Sequence, residues 1–244
     1  MKSFSVEGVD VFAHQVEELP PGQHEAVVQI VRELEGGDLY LGDVERGEIQ
    51  ITGIRHIVSN KFWTEVEHEV LFPGKNGKPP TAGTYRSVRW NVGLDSGTAA
   101  LCVTSNGRVV LTRSFRHAAR GWRYEIPRGV RRPGETFMQC GFRESLEEAG
   151  IQETDQTQVV DLGMYEPDTG VLMQKPRLIA YTKMVVDPQK VSPDVSEAIS
   201  GYMTVSVDRI LDMIDDGFIV DGYTQAAVLR GLLRGILSST RWVL

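Results

Sequence analysis

The 244-residue chain contains only two cysteines, and none of its hydrophobic runs approaches the roughly 18 residues of a membrane-spanning helix. Cys102 and Cys140 are too few to form a disulfide framework, so we expect both to be reduced thiols. The first ten residues lack the apolar stretch of a signal peptide. From these absences we expect a cytoplasmic protein with no membrane partner.

Charge is unevenly distributed along the chain. Residues 1–50 contain eleven acidic residues and three basic ones, whereas the whole chain has a formal net charge of −7. Residues 108–132, here called the arginine segment, contain eight arginines and a single acid, Glu125. Because a guanidinium group can bind phosphate through two parallel hydrogen bonds, this segment predicts a site for a phosphorylated ligand. The alternative is a set of surface arginines that pair with the acidic N-terminal region.

Residues 136–150 have the pattern of an amphipathic helix, with a capping box at the start and a glycine at the end. The acidic residues at i, i+3 and i+4 share one face of this helix: Glu144, Glu147 and Glu148. Close carboxylates repel one another unless a cation neutralises them, and Mg²⁺ or Mn²⁺ prefers oxygen ligands. Considered alone, such a cluster could also be a solvated acidic face.

The longer spacing G-x5-E-x7-R-E-x2-E-E-x-G resembles the signature of the Nudix hydrolase family. The matching positions are Gly129, Glu135, Arg143, Glu144, Glu147, Glu148 and Gly150. Ser145 departs from the family, which usually has an aliphatic residue there. The resemblance implies an α+β fold, namely a Nudix-type α/β/α sandwich with a mixed sheet. It also implies hydrolysis of a nucleoside diphosphate linked to another moiety.

The same resemblance implies roles for individual residues. Glu135 and Arg143 would orient the carboxylates, as the outer groups of a metal site do. Glu147 and Glu148 would also act in the catalytic step. The implied ligands of Mg²⁺ (or Mn²⁺) are the backbone carbonyl at Gly129 and the side chains of Glu144, Glu147 and Glu148.

Short segments outside the signature resemble the ADP-ribose pyrophosphatase and nucleoside diphosphate sugar hydrolase branch. Residues 113–116, Arg-Ser-Phe-Arg, resemble the branch's Arg-Gln-Tyr-Arg, and residues 124–129 resemble its Glu-Ile/Leu-Pro-Ala-Gly, with an arginine replacing the small residue. Pro167 lies sixteen residues after Ile151, a proline spacing associated with ADP-ribose hydrolases. By this resemblance the substrate-binding arginines are Arg113, Arg116 and Arg128.

Three further residues are candidates on the same grounds. Glu197 is the match for a late-loop glutamate that serves this branch as catalytic base or extra metal ligand, although it could equally be a solvated loop residue. Phe62 and Trp63 could stack on the base of the substrate, although aromatic residues in strands are more often part of a core. The strands around them resemble the small sheet through which these enzymes dimerise, so we expect a homodimer.

Hydrophobic patterning predicts an N-terminal helix and a small antiparallel sheet over residues 1–95, followed by a Nudix hydrolase domain over residues 96–244. The expected helices are 23–35, 136–149, 206–215 and 224–237. The expected strands are 49–58, 62–72, 85–92, 98–104, 108–113, 124–127, 159–165 and 178–186.

The leading hypothesis is metal-dependent hydrolysis of the pyrophosphate bond of ADP-ribose or a related nucleoside diphosphate sugar, releasing a nucleoside monophosphate and a sugar phosphate. One alternative is a pyrophosphohydrolase of RNA 5′ ends or dinucleotides. The overall acidity of the chain and the expected absence of an interleaved aromatic and basic surface argue against nucleic acid as a partner. A non-catalytic, nucleotide-binding Nudix module is a third possibility, but such a module would be expected to have lost one or more of the three glutamates.

Overall fold

The computed structural model describes residues 3–6, 9–12, 32, 39–195 and 197–242. The helix expected over residues 23–35 lies outside these residues, except for Arg32, as does much of the acidic N-terminal region. The chain divides into two compact units. The first unit comprises Met1–Leu94 and Asp168–Gln174, and the second comprises Asp95–Pro167 and Lys175–Leu244.

The first unit contains two small antiparallel sheets among its described residues, one of two strands and one of three. In the three-stranded sheet, Asn60 closes the first hairpin by accepting hydrogen bonds from the backbone N–H groups of Phe62 and Trp63. Ile54 and Val66 form the buried centre of this sheet. The strands are β1 (Ser3–Val6), β2 (Val9–Phe12), β3 (Gln50–Ser59), β4 (Trp63–Phe72) and β5 (Thr81–Trp90).

The second unit is built on an eight-stranded mixed sheet with the central order β10-β12-β6-β7-β13. Strand β11 pairs with β12, β8 with β7 and β9 with β6. Strands β6 and β12 run parallel, and the other pairs are antiparallel. The strands are β6 (Gly97–Thr104), β7 (Val109–Arg116), β8 (Gly121–Glu125), β9 (Arg128–Val130), β10 (Ile151–Gln152), β11 (Gln158–Met164), β12 (Arg177–Val186) and β13 (Ile199–Val205).

Helices cover both faces of this sheet: α1 (Phe137–Ala149), α2 (Val207–Asp215) and α3 (Gly222–Leu233). Alternate residues of β6 face opposite ways, so Leu101 belongs to one core and Cys102 to the other. The core containing Leu101 includes residues of α2 and α3, and the core containing Cys102 includes Ala149 of α1. The second unit is therefore an α/β/α sandwich with a mixed sheet, and the predicted fold class is confirmed.

Helix α1 has the predicted boundaries because both of its ends are capped. The Thr136 hydroxyl accepts a hydrogen bond from the Gln139 backbone N–H at 3.2 Å, and the Gln139 side chain accepts one from the Thr136 N–H at 2.9 Å. Gly150 ends the helix in the left-handed region, with φ of 64°. These caps fix where the acidic face of α1 begins and ends.

Several predicted boundaries differ from the structure, as in β5, which spans Thr81–Trp90 rather than residues 85–92. The strand expected over 124–127 is divided between β8 and β9, because Pro127 has no N–H to donate to a ladder. The last helix ends at Leu233 rather than at residue 237, near Gly235, whose φ is 67°. Strand β13 was not predicted, since Gly201 interrupts its apolar pattern at a register shift against β7. Among the described residues, none of the helices is long and apolar enough to cross a membrane.

Candidate active site

Strand β9, just before the turn into α1, places the backbone of Gly129 against a carboxylate of the helix. Strand β9 pairs with β6, with Gly129 opposite Thr98. A Cβ atom at position 129 would lie 2.0 Å from Oε1 of Glu144, a distance that real atoms do not adopt. The absent side chain of Gly129 therefore makes room for the Glu144 carboxylate, which a larger residue here would displace.

Three carboxylates converge beside this turn. Glu144 and Glu148 lie one turn apart on α1 and are only 6% and 3% exposed, whereas Glu197 lies on an exposed loop before β13. One oxygen from each of the three residues lies within 4.8 Å of the others, and we call this group the carboxylate cluster. An all-oxygen donor set of this size and charge fits a hard divalent cation.

The environment of the carboxylate cluster disfavours negative charge in the absence of a cation. Burial raises the pKa of Glu148 well above its ordinary value, and the nearby carboxylates of Glu144 and Glu197 raise it further. Burial also raises the pKa of Glu144, against the opposing effect of Arg143. A cation bound between these groups would remove the repulsion that these shifts express.

Glu147, the third glutamate of the signature helix, is not part of the carboxylate cluster. Its two oxygens lie 3.0 Å from Nη1 of Arg143 and 3.2 Å from Nη2 of Arg132. Its backbone carbonyl accepts a hydrogen bond from the N–H of Ser192 at 2.8 Å. Glu147 thus holds the basic side chains beside the cluster and joins α1 to the chain that leads to Glu197.

Arg143 connects the segment between β9 and α1 to the helix. Its Nε and Nη2 groups donate to both oxygens of Glu135, at 2.7 and 3.0 Å. Its Nη1 group donates to Glu144 at 2.6 Å, and its Nη2 group also reaches the Val130 carbonyl at 3.0 Å. Hydrogen bonding from Arg143 lowers the pKa of Glu135, so this pair stays ionised and fixes the orientation of Glu144.

Arg116 and Arg128 lie at a second edge of the site, and both contact Glu125. The Nε group of Arg116 donates to Glu125 at 3.0 Å, and Nη2 of Arg128 donates to the same oxygen at 3.2 Å. Arg128 is also 3.2 Å from Asp221. Burial acts to lower the pKa of Arg128, but the carboxylates of Asp221 and Glu125 outweigh it and raise that pKa above its ordinary value.

Arg113 is on the opposite face of the sheet from Arg116. It shares the face of Leu111 in the core under α2 and α3, and its guanidinium carbon lies 4.5 Å from the ring centroid of Trp122. Arg120 similarly lies over Phe115, at 5.6 Å. Contrary to expectation, the arginine segment does contain an interleaved aromatic and basic surface.

Phe62 and Trp63 belong to the first unit, whereas the carboxylate cluster belongs to the second. Phe62 is 58% exposed, with the Lys61 ammonium 5.3 Å from its ring centroid. Trp63 begins β4 and is paired across the sheet with Trp90 of β5. The exposed ring of Phe62 is available for stacking, and the indole of Trp63 is half-buried.

Glu125 and Asp221 were not predicted as site residues, although Glu125 contacts Arg116 and Arg128 and Asp221 contacts Arg128. Glu125 is 1% exposed at the end of β8. Two signals were available: Glu125 is the glutamate of the segment that resembles Glu-Ile/Leu-Pro-Ala-Gly, and a carboxylate between Tyr124 and Ile126 in an apolar strand requires a cationic partner. Asp221 precedes a helix and could have been identified only as its N-cap.

The second unit thus combines an α/β/α sandwich with a carboxylate cluster beside Gly129. The NUDIX domain model matches residues 95–221, slightly more than half of the chain. The chain therefore belongs to the Nudix family and is a Nudix pyrophosphohydrolase.

Solved structures share this fold. One is the crystal structure of an ADP compounds hydrolase, which superposes with a TM-score of 0.60 at 14% sequence identity, covering 77% of this chain and 95% of that chain. At this identity the likeness shows the fold alone. A search of curated protein sequences found no match to this chain.

Proposed function

We propose that the protein hydrolyses the pyrophosphate bond of ADP-ribose or a related nucleoside diphosphate sugar in the presence of Mg²⁺ or Mn²⁺. The products would be a nucleoside monophosphate and a sugar phosphate. The observation that carries this proposal is the carboxylate cluster, in which one oxygen from each glutamate lies within 4.8 Å of the others. Beside it are Arg116 and Arg128, which both contact the buried Glu125. The arrangement provides anionic ligands for a cation and guanidinium groups for a diphosphate.

The metal ligands in this proposal are Glu144, Glu148 and Glu197 of the carboxylate cluster and the Gly129 carbonyl. Glu147, expected as a further ligand, is bound to Arg143 and Arg132 and would have to release them to reach the cation. A bound divalent cation supplies charge neutralisation for the pyrophosphate and activation of water. Glu197 lies on an exposed loop and would accept a proton from the attacking water, with Glu148 and Glu147 as the other acids in reach of the reaction. Arg143 and Glu135 hold Glu144 in place through the bonds described above.

Arg116 would bind the diphosphate, because it lies on the sheet face that borders the carboxylate cluster. Arg128 lies opposite Ala99 on the other face, and its proposed contact with the diphosphate rests on its hydrogen bond to Glu125 beside Arg116. Arg113 was expected to share this role, but its guanidinium stacks on the ring of Trp122, which supports a role other than binding the diphosphate. Phe62 and Trp63 would stack on the base of the substrate across a homodimer. Sedimentation equilibrium tests the dimer: a mass equal to the 27.2 kDa of one chain, rather than twice that, would exclude it.

ADP-ribose is placed first among the substrates for two reasons. The segments 113–116 and 124–129 and the position of Pro167 resemble the ADP-ribose branch, and a solved structure with the same fold is an ADP compounds hydrolase. A purine-linked diphosphate is therefore the class of substrate to examine first.

Dinucleotides or RNA 5′ ends are the second candidate, and one observation favours them. Trp122 is 41% exposed between arginines, a combination that can stack a second base and contact additional phosphates. This surface ranks second because the register of β7 and β8 puts Trp122 opposite Phe115, on the sheet face away from Arg116.

A substrate panel tests the proposal. We would assay ADP-ribose, GDP-mannose, UDP-glucose, dinucleoside polyphosphates, NADH and capped RNA with Mg²⁺ or Mn²⁺, and expect the highest kcat/KM for ADP-ribose. Glu148→Gln should reduce turnover by at least about 100-fold, because the buried carboxylate is a proposed metal ligand. Glu153→Gln, an exposed carboxylate outside the site, is the matched control and should retain full activity.

Each result of this panel has one interpretation. Absence of turnover on all diphosphates would contradict the proposed activity, and preference for capped RNA or dinucleotides would favour the second candidate. Unchanged turnover in Glu148→Gln would show that the carboxylate cluster is not the metal site.

A further inference from the structure

A buried carboxylate outside the Nudix signature lies between the two proposed substrate arginines. Glu125 ends β8 and is only 1% exposed. One of its oxygens accepts hydrogen bonds from Nε of Arg116 at 3.0 Å and from Nη2 of Arg128 at 3.2 Å. Its other oxygen is in ion-pair contact with Nη2 of Arg116 but has no hydrogen-bond partner among the described residues. Two guanidinium groups therefore share a single carboxylate.

The same network continues to the start of α3. Arg128 lies 3.2 Å from Asp221, and its guanidinium carbon lies 4.3 Å from the ring centroid of Tyr223. Asp221 also accepts hydrogen bonds from the backbone N–H and the hydroxyl of Thr224, at 2.9 and 2.8 Å. Arg128 is thus held by Asp221, the residue that caps α3, and Glu125 links Arg116 to Arg128.

The network borders the carboxylate cluster. Thr112 of β7 pairs with Glu125, so Glu125 lies on the same sheet face as Arg116, which is four residues further along β7. Arg116 and Glu125 are both near enough to Glu148 to act on its pKa, in opposite directions. A diphosphate bound at the cluster would therefore lie next to the Arg116 guanidinium.

Arg116 is partly exposed to solvent, whereas its partner Glu125 is buried. The Arg116 side chain is 39% exposed, whereas that of Glu125 is 1% exposed. A guanidinium has five N–H donors in a rigid plane, and the edge formed by Nε and Nη2 is used by Glu125. The remaining donors on Nη1 and Nη2 point away from Glu125. Without that carboxylate, Arg116 would regain its rotamer freedom and would be repelled by Arg128.

We propose that Glu125 is a positioning residue for binding of the substrate diphosphate. It holds Arg116 so that the free donors of the guanidinium face the phosphates at the carboxylate cluster, and it keeps Arg128 beside it without charge repulsion. The proposal rests on the proposed function, because it specifies how that substrate is held, and it adds Glu125 to the residues on which diphosphate affinity depends.

The test compares Glu125→Gln with the wild-type enzyme. The glutamine keeps the size of the side chain but loses the charge and one acceptor. We expect KM for ADP-ribose to rise about tenfold or more and kcat to change by less than about threefold, since a lost binding contact weakens ground state and transition state alike. Glu125→Asp, which keeps the charge, should recover part of the affinity, whereas an effect of side-chain packing alone would not be recovered.

A double-mutant cycle with Arg116→Ala identifies the group through which Glu125 acts. If Glu125 works through Arg116, adding Glu125→Gln to Arg116→Ala should change KM by less than about twofold, because Asp221 and Tyr223 still hold Arg128. Independent effects that multiply in the double variant would overturn the proposal. Circular dichroism would establish that each variant is folded, and Glu125→Asp replaces Glu125→Gln in the cycle if the latter does not fold.

Equilibrium binding of ADP, measured by calorimetry with Mg²⁺, separates this proposal from the proposed function. If the wild-type protein fails to hydrolyse ADP-ribose, the proposed function fails, but weaker ADP binding by Glu125→Gln would still support the positioning role. If the wild-type protein hydrolyses ADP-ribose and Glu125→Gln has the same KM and the same affinity for ADP, the positioning role is wrong and the proposed function stands.

Discussion

At the scale of single residues, Gly129 shows how a missing side chain can position a reactive one. A Cβ atom there would meet the Glu144 carboxylate at 2.0 Å. We expect Gly129→Ala to displace that carboxylate and to lower Mn²⁺ affinity and kcat/KM by about 10- to 100-fold, the range for disturbing the support of a metal ligand. Calorimetric titration with Mn²⁺ and steady-state kinetics would measure both effects.

Gly134 is the matched control for this prediction. It lies in the turn between β9 and α1 with φ of 79°, but a Cβ there would have no neighbour within 4 Å. Gly134→Ala should lower stability by about 1 kcal/mol through backbone strain while leaving Mn²⁺ affinity unchanged. Equal loss of affinity in the two variants would show that the close approach of Glu144 is not the cause.

His68 predicts a pH dependence of stability in the first unit. It is 4% exposed, its Nε2 lies 3.1 Å from the Ser87 hydroxyl, and its Nδ1 has no hydrogen-bond partner among the described residues. Burial lowers its pKa below the ordinary value, so the unfolded chain takes up a proton at a higher pH than the folded protein. We therefore expect stability to be complete above about pH 6.5 and to fall as the pH drops below it.

Thermal melts of His68→Gln between pH 5 and 8 would test this expectation. The variant should lose less stability than the wild type as the pH falls. His56→Gln changes an exposed histidine on the neighbouring strand and should retain the wild-type dependence. Parallel curves for the wild type and His68→Gln would contradict the prediction.

The residues of the site differ in how far they could be predicted. Glu144 and Glu148 share a helix face at fixed spacing, so sequence alone indicates that they converge. Glu125 could not be assigned in this way, because its partners Arg116 and Arg128 reach it across a strand pair and a strand turn. Arg113 and Arg116 lie three residues apart, so strand alternation puts them on opposite faces, but the predicted strand ended at residue 113 and did not include Arg116.

At the scale of elements, α1 carries the carboxylates, and its position depends on its caps. Thr136→Ala removes the hydroxyl that accepts the Gln139 N–H, and we expect a loss of about 1 kcal/mol in the free energy of unfolding. Urea denaturation would measure the change. Because both hydrogen bonds belong to one capping box, Gln139→Ala should cost less in the Thr136→Ala background than in the wild type. Strictly additive costs would contradict this coupling.

Elements with a clear hydrophobic period were predicted from the sequence, whereas β13, which lacks such a period, was not. Helix α1 and the long strands β3, β4, β6 and β12 have continuous apolar patterns and recognisable turns. Strand β13 includes Gly201, with φ of 142°, and its pairing is set by Val109–Ser114 of β7 rather than by its own sequence. Tertiary pairing of this kind determines a strand that local propensity does not indicate.

At the scale of the whole molecule, the division into two units departs from a simple cut near residue 95. Asp168–Gln174 belongs to the first unit, although the sequence on both sides of it belongs to the second. Within the first unit, Val88 donates a backbone hydrogen bond to the Val171 carbonyl at 2.9 Å, which fixes this segment against β5. Val88 and Val171 are far apart in the sequence, so local sequence patterns do not indicate their contact. The segment was therefore predicted to belong to the hydrolase domain.

Metal binding should also affect the stability of the whole second unit, since a ligand that binds only the folded state stabilises it by mass action. At a Mg²⁺ concentration of about 100 times Kd, the stabilisation is about 2.7 kcal/mol, which corresponds to a rise in Tm of roughly 5–10 °C for a unit of this size. Differential scanning calorimetry in Mg²⁺ and in EDTA would measure the shift. Glu148→Gln should lose most of this rise and, because it removes a buried carboxylate, should be more stable than the wild type in EDTA. Glu153→Gln should behave as the wild type in both solutions, and an equal rise in all three proteins would place the bound cation elsewhere than at the carboxylate cluster.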